Sequence, residues 1–236
     1  MSPVTLENVP GGLIVAVDGP SGAGKSTVCR AIATHFGAKY IDTGAMYRVA
    51  TLYALRQGVS VSDTAAIVAL SGAIPLSVND DPQSRAVLLD GEDVSEEIRG
   101  VEVTRQVSAV AAIPEVRNNL VALQRKLAKR AGRCVLDGRD IGTNVLVDAP
   151  IKIFLTASAE VRAKRRCDQD NAAGRIVDYN AVLADVLRRD EIDSTRTTDP
   201  LRPAEDAVIV DTSDMSLDDV IAELIGLIEA SAERMN

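Results

Sequence analysis

A glycine-rich segment that ends in a lysine and two hydroxyl residues is the clearest chemical signal in the chain. Residues 19–27 match the phosphate-binding pattern GxxxxGK[ST]. The glycines let backbone N–H groups turn towards an anion, and the N-terminus of a following helix adds a favourable dipole. Lys25 is expected to reach the β- and γ-phosphates of a nucleotide, and the Ser26 hydroxyl suits Mg²⁺. The predicted nucleoside triphosphate site comprises Gly19, Pro20, Ser21, Gly22, Ala23, Gly24, Lys25, Ser26 and Thr27.

A second group of polar residues, 42–48, follows a short apolar run that is predicted to be a strand. Ligands of open α/β sheets bind at the carboxyl ends of the strands, so these residues are candidates for substrate contacts. Arg48 lies one turn into the next predicted helix, where its guanidinium can reach an anion. An arginine exposed on the surface is the alternative that this argument leaves open.

The sequence Asp-Gly-Arg-Asp at 137–140 follows another predicted strand. Asp137 there suits Mg²⁺ or the waters that coordinate it. Arg139 can bind a phosphate through two hydrogen bonds, and Asp140 can accept a hydrogen bond from an exocyclic amine. A polar turn with an internal salt bridge is the alternative.

A third group of charges lies in the polar segment 162–200, within which residues 188–196 contain three arginines. Arginines at this spacing can close over a phosphoryl group and neutralise its charge during transfer. Since few apolar residues anchor the segment, we predict a mobile helical flap. A solvated helix with i,i+4 ion pairs is the alternative.

Apolar runs alternate with helical patterns along the chain, which is typical of a parallel sheet covered by helices on both faces. Helices are predicted after the phosphate loop, over 45–57 and over 114–131; the last begins at proline and stops before glycine. Ser216 and Asp219 resemble a capping box before a final amphipathic helix. The predicted strands are 13–17, 40–41, 134–136, 151–155 and 208–210.

Residues 72–103 interrupt this alternation, because two short apolar runs there flank a turn-forming sequence. We predict strands over 74–78 and 86–89 in a small β insert. The predicted division is a core of 1–71, 104–161 and 201–236, an insert of 72–103 and a lid of 162–200.

The composition limits the class of protein. The chain has 236 residues, 46% of them hydrophobic, and a formal net charge of −8. Proteins that bind DNA or RNA are usually basic, so a nucleic-acid polymer is a poor candidate partner. The sequence has no apolar run of about 18 residues, and residues 1–10 do not resemble a secretory signal. The three cysteines include no CxxC pair, so we expect free thiols in a reducing cytoplasm, with Cys29 and Cys134 buried.

Five segments in this order and at this spacing resemble the bacterial cytidylate kinases, and the resemblance runs from about residue 13 to 228. It implies a P-loop nucleoside monophosphate kinase fold with a five-stranded parallel core sheet, helices on both faces, a β-rich monophosphate-binding insert and a short helical lid. It also implies transfer of the γ-phosphate of ATP to CMP or dCMP, with Mg²⁺. The segments are 17–26, 42–48, 91–99, 137–143 and 150–155.

The resemblance also implies roles for individual residues. Lys25 and three arginines would be catalytic: Arg139, Arg189 and Arg196. The remaining positions would bind the two nucleotides. Those implied to recognise cytosine are Ser108, Arg117 and Asp140; those for the acceptor phosphate are Arg48, Arg139 and Arg196; those near the ribose are Arg189 and Asp193; and Arg165 would face the donor phosphates.

The chain departs from the family pattern at a few of these positions. Thr43 stands where some members have serine, which keeps a hydroxyl among the CMP-binding residues. Ile192 and Ser194 stand where some members have further lid arginines, so the lid here is less positive. Rival functions are phosphorylation of another small acceptor, such as UMP, dTMP or shikimate, and a regulatory NTPase without an acceptor. We expect a monomer.

Overall fold

The computed structural model describes residues 12–172 and 174–235. The prediction that the N-terminal residues 1–10 are not a secretory signal falls outside this part of the chain. Within it, alternating strands and helices form one α/β structure. In chain order, the elements are β1 Ile14–Asp18, α1 Lys25–His35, β2 Lys39–Asp42, α2 Thr43–Arg56, α3 Thr64–Ser71, β3 Leu76–Val78, β4 Val87–Leu89, β5 Glu92–Asp93, α4 Val101–Ala111, α5 Pro114–Ala131, β6 Cys134–Gly138, β7 Ile151–Thr156, α6 Ala159–Ala172, α7 Tyr179–Thr195, β8 Val208–Asp211 and α8 Leu217–Met235.

Five parallel strands form the central sheet, in the order β2-β6-β1-β7-β8. This confirms the predicted parallel five-stranded core. Strand β1 lies in the middle, because β6 and β7 pair with its two edges. Asp137 is the register partner of Val17 on β1 and of Asp42 on β2, so the carboxyl ends of three strands meet at one edge.

Alternate residues of β1 enter two different cores, as expected for a sheet covered on both faces. Val15 and Val17 pack with the apolar residues of α1 and α8. Ala16 packs on the opposite face with those of α2, α3, α4 and α5. The prediction of helices on both faces is therefore confirmed.

Residues 72–103 contain an antiparallel sheet, β3-β4-β5, whose strands are shorter than predicted and whose third strand was not predicted. Leu89, Val94 and Ile98 are buried with Val49 and Leu52 of α2. The insert is thus attached to the core through the helix that carries Arg48. The numerical domain boundaries themselves stay a prediction.

Several local signals in the sequence correspond to the ends of elements. Helix α5 begins at Pro114 and is followed by Gly132, which has a φ of 67°. At the start of α8, the Ser216 Oγ accepts from the Asp219 N–H at 3.2 Å, and the Asp219 carboxylate accepts from the Ser216 N–H at 3.3 Å. Both predicted end signals are confirmed. Helix α2 starts at Thr43, two residues earlier than predicted, because the Asp42 carboxylate caps it.

Two further observations concern the cysteines and the possibility of membrane-spanning helices. Cys29, Cys134 and Cys167 are free and buried, as predicted for the first two. In the part of the chain that the structure describes, no helix is both long enough and apolar enough to cross a membrane.

Candidate active site

The phosphate loop connects the end of β1 to the first residue of α1. Gly24 caps the helix in the left-handed region, with φ 87°, which favours glycine. Gly19 lies against β7, where a Cβ atom would come within 1.9 Å of the Leu155 carbonyl oxygen. Because a side chain fits at neither position without strain, the loop needs glycine there to bring its backbone N–H groups together at the helix N-terminus.

Lys25 is buried at the start of α1 and folds back on the loop. Its Nζ donates to the Gly19 and Pro20 carbonyl oxygens, at 2.8 Å each. Burial, with a contribution from Arg139, lowers the pKa of Lys25 to about 7. A negatively charged ligand beside Nζ would restore the charged form, so the site is electrostatically suited to a phosphate.

Ser26 and Asp137 form the part of the site that suits a divalent cation. The Ser26 Oγ donates to Asp137 Oδ2 at 2.9 Å, and the Tyr40 hydroxyl donates to the same oxygen at 3.1 Å. Burial, then the neighbouring Asp42, raises the pKa of Asp137 to about 7. A buried carboxylate beside a hydroxyl is the donor set that Mg²⁺ uses next to nucleotide phosphates, so these residues fit the ion.

Asp18 connects the donor side to the turn that carries Asp140. The two carboxylate oxygens of Asp18 accept from the backbone N–H groups of Ile141 and Gly142, at 2.7 and 2.8 Å. Residues 141–145 form a single π-helical turn, a conformation found frequently at functional sites. Burial raises the pKa of Asp18 to about 6, although the two backbone hydrogen bonds oppose the shift.

Arg117 and Asp140 form a buried ion pair on the other side of the crevice. A terminal guanidinium nitrogen of Arg117 donates to Asp140 Oδ2, and the two side chains are 1% and 5% exposed. Asn144 Nδ2 donates to the same Asp140 oxygen at 3.1 Å, and Arg196 approaches the second oxygen at 3.4 Å. The alternative of a polar turn with a salt bridge inside it is wrong for Asp140, since its partner lies on α5.

Two more residues implied to bind CMP lie close to these groups. Ser108 is buried on α4, one turn before Ala111, whose carbonyl oxygen accepts from Arg117 at 3.2 Å. The Thr43 Oγ1 donates to the Asp137 carbonyl oxygen at 2.6 Å, which fixes it at the end of β6.

Several arginines converge between α2 and α7. Burial and the nearby Arg189 lower the pKa of Arg48 to about 9, and burial and Arg139 lower the pKa of Arg189 to about 10. Arg139 Nε donates to Asp193 Oδ2 at 2.9 Å. Burial favours a higher pKa for Asp193, but Arg139 holds it below its ordinary value. Neighbouring arginines that disfavour each other's charge suit a polyanionic ligand.

The charged residues of the lid, 162–200, fall into two groups: some are exposed and others are buried. Arg188 is exposed and pairs with Asp185, as expected of a solvated helix. Arg189 and Asp193, by contrast, are buried, and the Arg189 Nε has no hydrogen-bond partner among the described residues. The solvated alternative is therefore wrong for these two positions.

Arg165 lies on α6 and donates to Thr212, with distances of 3.0 Å to Oγ1 and 2.6 Å to the carbonyl oxygen. Its implied contact with the donor phosphates stays a prediction. Arg162, one turn earlier, was not identified from the sequence. It donates to the Ser21 carbonyl oxygen of the phosphate loop at 3.0 Å and to both carboxylate oxygens of Asp190 at 3.0 and 2.6 Å.

Sequence reasoning also missed Asn144 and Asp199 beside Arg117. Asn144 follows Asp140 by four residues, which was a weak signal because the intervening turn was not predicted as helical. Asp199 lies 82 residues from Arg117, so no local pattern indicates their contact.

A family model and several known proteins match nearly the whole chain. The family model described as cytidylate kinase matches residues 15–230. The chain is similar to the cytidylate kinase of Corynebacterium glutamicum, with 69% identity over 96% of this chain and 98% of that protein. It is also similar to the cytidylate kinase of Corynebacterium diphtheriae, with 71% identity over 95% and 97%. Among solved structures, an uncharacterized protein from Eubacterium ventriosum has a TM-score of 0.50 at 14% identity and covers 92% of this chain and 98% of that one, which concerns the fold alone.

Proposed function

The chain belongs to the cytidylate kinase family, and we propose that it transfers the γ-phosphoryl group of ATP to CMP or dCMP. In this reaction an oxygen of the acceptor phosphate attacks the γ-phosphorus in line, and the bond to the bridging oxygen of ADP breaks. Since the attacking phosphate is already ionised, the protein needs to position the groups and neutralise charge more than to remove a proton.

On the donor side, ATP binds along residues 19–27. Lys25 leaves the loop carbonyls and contacts the β- and γ-phosphates, a change that its lowered pKa makes favourable once negative charge is present. Ser26 and Asp137 would hold Mg²⁺, which when bound neutralises charge on these phosphates. Arg165 would turn from Thr212 towards the same phosphates.

On the acceptor side, the phosphate of CMP binds among Arg48, Arg139 and Arg196. This role is supported by the lowered pKa of Arg48 and by its position on the helix that begins at the end of β2. Arg189 acts with Arg139 on the transferring group, and Asp193 keeps Arg139 in place and faces the ribose. Thr43 and Ser108 supply hydroxyl groups along the same crevice.

The base is selected by the Arg117–Asp140 pair, and this buried pair is the observation that carries the proposal. Cytosine offers an amine donor at C4 and an acceptor at N3, which complement a carboxylate and a guanidinium respectively. Uracil inverts that pattern, so UMP would leave buried polar groups without partners. Sites of this kind discriminate by several orders of magnitude.

We also propose that the protein is a monomer, that it acts in the cytoplasm and that Mg²⁺–ATP is its phosphoryl donor.

The experiment that tests the function is incubation of the purified chain with ATP, Mg²⁺ and a panel of CMP, dCMP, UMP, dTMP and shikimate. ADP should form rapidly with CMP and dCMP and slowly with the other acceptors. If ADP forms at the same rate with and without an acceptor, a regulatory NTPase is favoured. If ADP forms faster with UMP, dTMP or shikimate than with CMP, the chain is another small-molecule kinase.

A further inference from the structure

Asp199 lies in the segment between α7 and β8 and makes contacts on two sides. Its Oδ2 accepts from Arg117 Nε and from Asn144 Nδ2, at 2.9 Å each. Its backbone carbonyl oxygen accepts from Arg196 Nε at 2.7 Å. One residue therefore connects the base-recognition pair to an arginine proposed to bind the acceptor phosphate.

The guanidinium of Arg117 is fixed by three separate partners. Besides Asp199 at Nε, it donates to Asp140 through one terminal nitrogen and to the Ala111 carbonyl oxygen, at 3.2 Å, through the other. With 1% of its side chain exposed, Arg117 has little room to rotate. Loss of the Nε partner would leave Asp140 as the remaining carboxylate that holds the guanidinium.

The charges around Arg117 balance only when Asp199 is included. Arg117 and Arg196 carry two positive charges, and Asp140 and Asp199 carry two negative charges. Without Asp199, Asp140 would be the one carboxylate among the described residues left to pair with Arg117, although it also pairs with Arg196 at 3.4 Å. Its oxygens would then be less available as acceptors for an amine of the substrate.

We propose that Asp199 is a positioning residue for base selection. It holds Arg117 and Asn144 so that Asp140 keeps an oxygen for the exocyclic amine of cytosine. Asp199 follows the lid helix α7, and its backbone also binds Arg196. Binding of the correct base should therefore favour the lid position that brings Arg196 to the acceptor phosphate. Discrimination between CMP and UMP should therefore appear partly in kcat. The inference rests on the proposed roles of Arg117 and Asp140.

The backbone of Asp199 allows a well-matched test. Its φ of 47° lies in the left-handed region, where asparagine is tolerated about as well as aspartate. Asp199→Asn therefore removes the charge and leaves the backbone preference unchanged. Asp90, in the insert, is exposed and has a φ of 51°, so Asp90→Asn is the same change in the same conformation at a residue with no proposed contact to either nucleotide.

The experiment measures kcat and KM for CMP and UMP at saturating ATP in the wild type and both variants. Asp199→Asn should lower the CMP/UMP ratio of kcat/KM about tenfold, the effect expected for loss of one charged hydrogen-bond partner. Much of the loss should be in kcat for CMP. Asp90→Asn should leave all four constants unchanged. If Asp199→Asn does not fold, Asp199→Gly suits a positive φ, removes the carboxylate and gives the same readout.

Two outcomes would overturn the inference. An unchanged CMP/UMP ratio in a folded Asp199 variant would contradict it, including the case in which activity with both nucleotides falls equally, as a merely structural role predicts. Asp140→Ala, measured in parallel, separates this failure from a failure of the proposed function. If Asp140→Ala lowers the ratio and Asp199→Asn does not, only the role of Asp199 is wrong. If neither variant changes the ratio, the proposed base recognition is wrong as well.

Discussion

The donor and acceptor sides of the crevice are built in different ways. The donor side is one continuous loop, and Lys25 contacts carbonyl oxygens only five and six positions away. The acceptor side brings together α5, the turn after β6 and the segment after α7, and Arg117 bonds to residues 23 and 82 positions away. A local motif forms the first, whereas the tertiary fold assembles the second.

The two sides also differ in what holds their charged groups. Lys25 is bound by backbone carbonyls, which do not lose an ionic partner when it is removed. On the acceptor side, Arg117 and Arg139 are bound by the carboxylates of Asp140 and Asp193, which lose a buried ionic partner if the arginine is removed. Substitution of Lys25 should therefore impair chemistry alone, whereas substitution of Arg117 or Arg139 should impair both chemistry and stability.

The largest expected effect is on the donor side. Lys25→Ala should lower kcat by about 10²–10³-fold or more, because it removes a positive charge directed at the transferring group, and the fold should be retained. Steady-state kinetics and circular dichroism provide the measurement. Lys39→Ala, on the partly exposed β2 position that pairs with Asp80, is the control and should leave kcat nearly unchanged. A folded Lys25→Ala protein with a tenth of the wild-type kcat would refute the donor assignment.

A smaller effect is expected where the lid meets the phosphate loop. Arg162→Met leaves Asp190 without its bidentate partner and the Ser21 carbonyl without its donor. The free energy of unfolding should fall by about 3 kcal/mol, and KM for ATP should rise more than KM for CMP. Lys164→Met breaks an exposed pair with Asp168 on the same helix and should leave the free energy of unfolding nearly unchanged. Equal effects of the two variants would show that the lid and the loop are not coupled.

The lid should also differ from the core in its motions. In α6 and α7 the buried apolar side chains include Ala163, Cys167 and Val186, which give little apolar area to hold the lid in place. Amide hydrogen exchange over 179–185 should be at least about tenfold faster than in β1 without ligand, and slower with CMP and a non-hydrolysable ATP analogue bound. Equal protection in the two states would argue against a lid that closes on substrate.

An effect that appears only as the pH is varied is expected at Asp18, where the two sides meet. Its pKa of about 6 in the folded protein is above its ordinary value of 3.8, so the native state binds the proton more tightly. Its contribution to stability should therefore fall as pH rises from about 4 to 6, by at most about 1.4 kcal/mol per pH unit. Urea unfolding at several pH values should show a steeper slope in the wild type than in Asp18→Asn, because Asp137, whose pKa is also raised, still contributes in both proteins. Parallel curves for the two proteins would contradict the shift.

The sequence predicted the local structure of the phosphate loop, because its residues are adjacent and the glycines that the turn needs are visible as a motif. The nucleotide contacts of these residues stay a prediction. The parallel sheet could also be predicted from consecutive residues, because a strand buried on both faces, such as β1, is apolar at nearly every position. Arg162 and Asp199 could not be predicted from pattern, since each has its role only through partners brought close by folding. The helical turn at 141–145 was missed because a single turn of five residues is too short to show a periodicity.

The central claim is that Arg117 and Asp140 select cytosine, and the most direct test is the ratio of kcat/KM for CMP and UMP in the wild type and in Asp140→Ala. The wild type should prefer CMP by several orders of magnitude, as expected when a mismatched base leaves buried polar groups unpaired. The variant should lose CMP activity far more than UMP activity, so that the ratio falls by about 10²-fold or more. An unchanged ratio would remove Asp140 from base recognition and reopen the choice of acceptor.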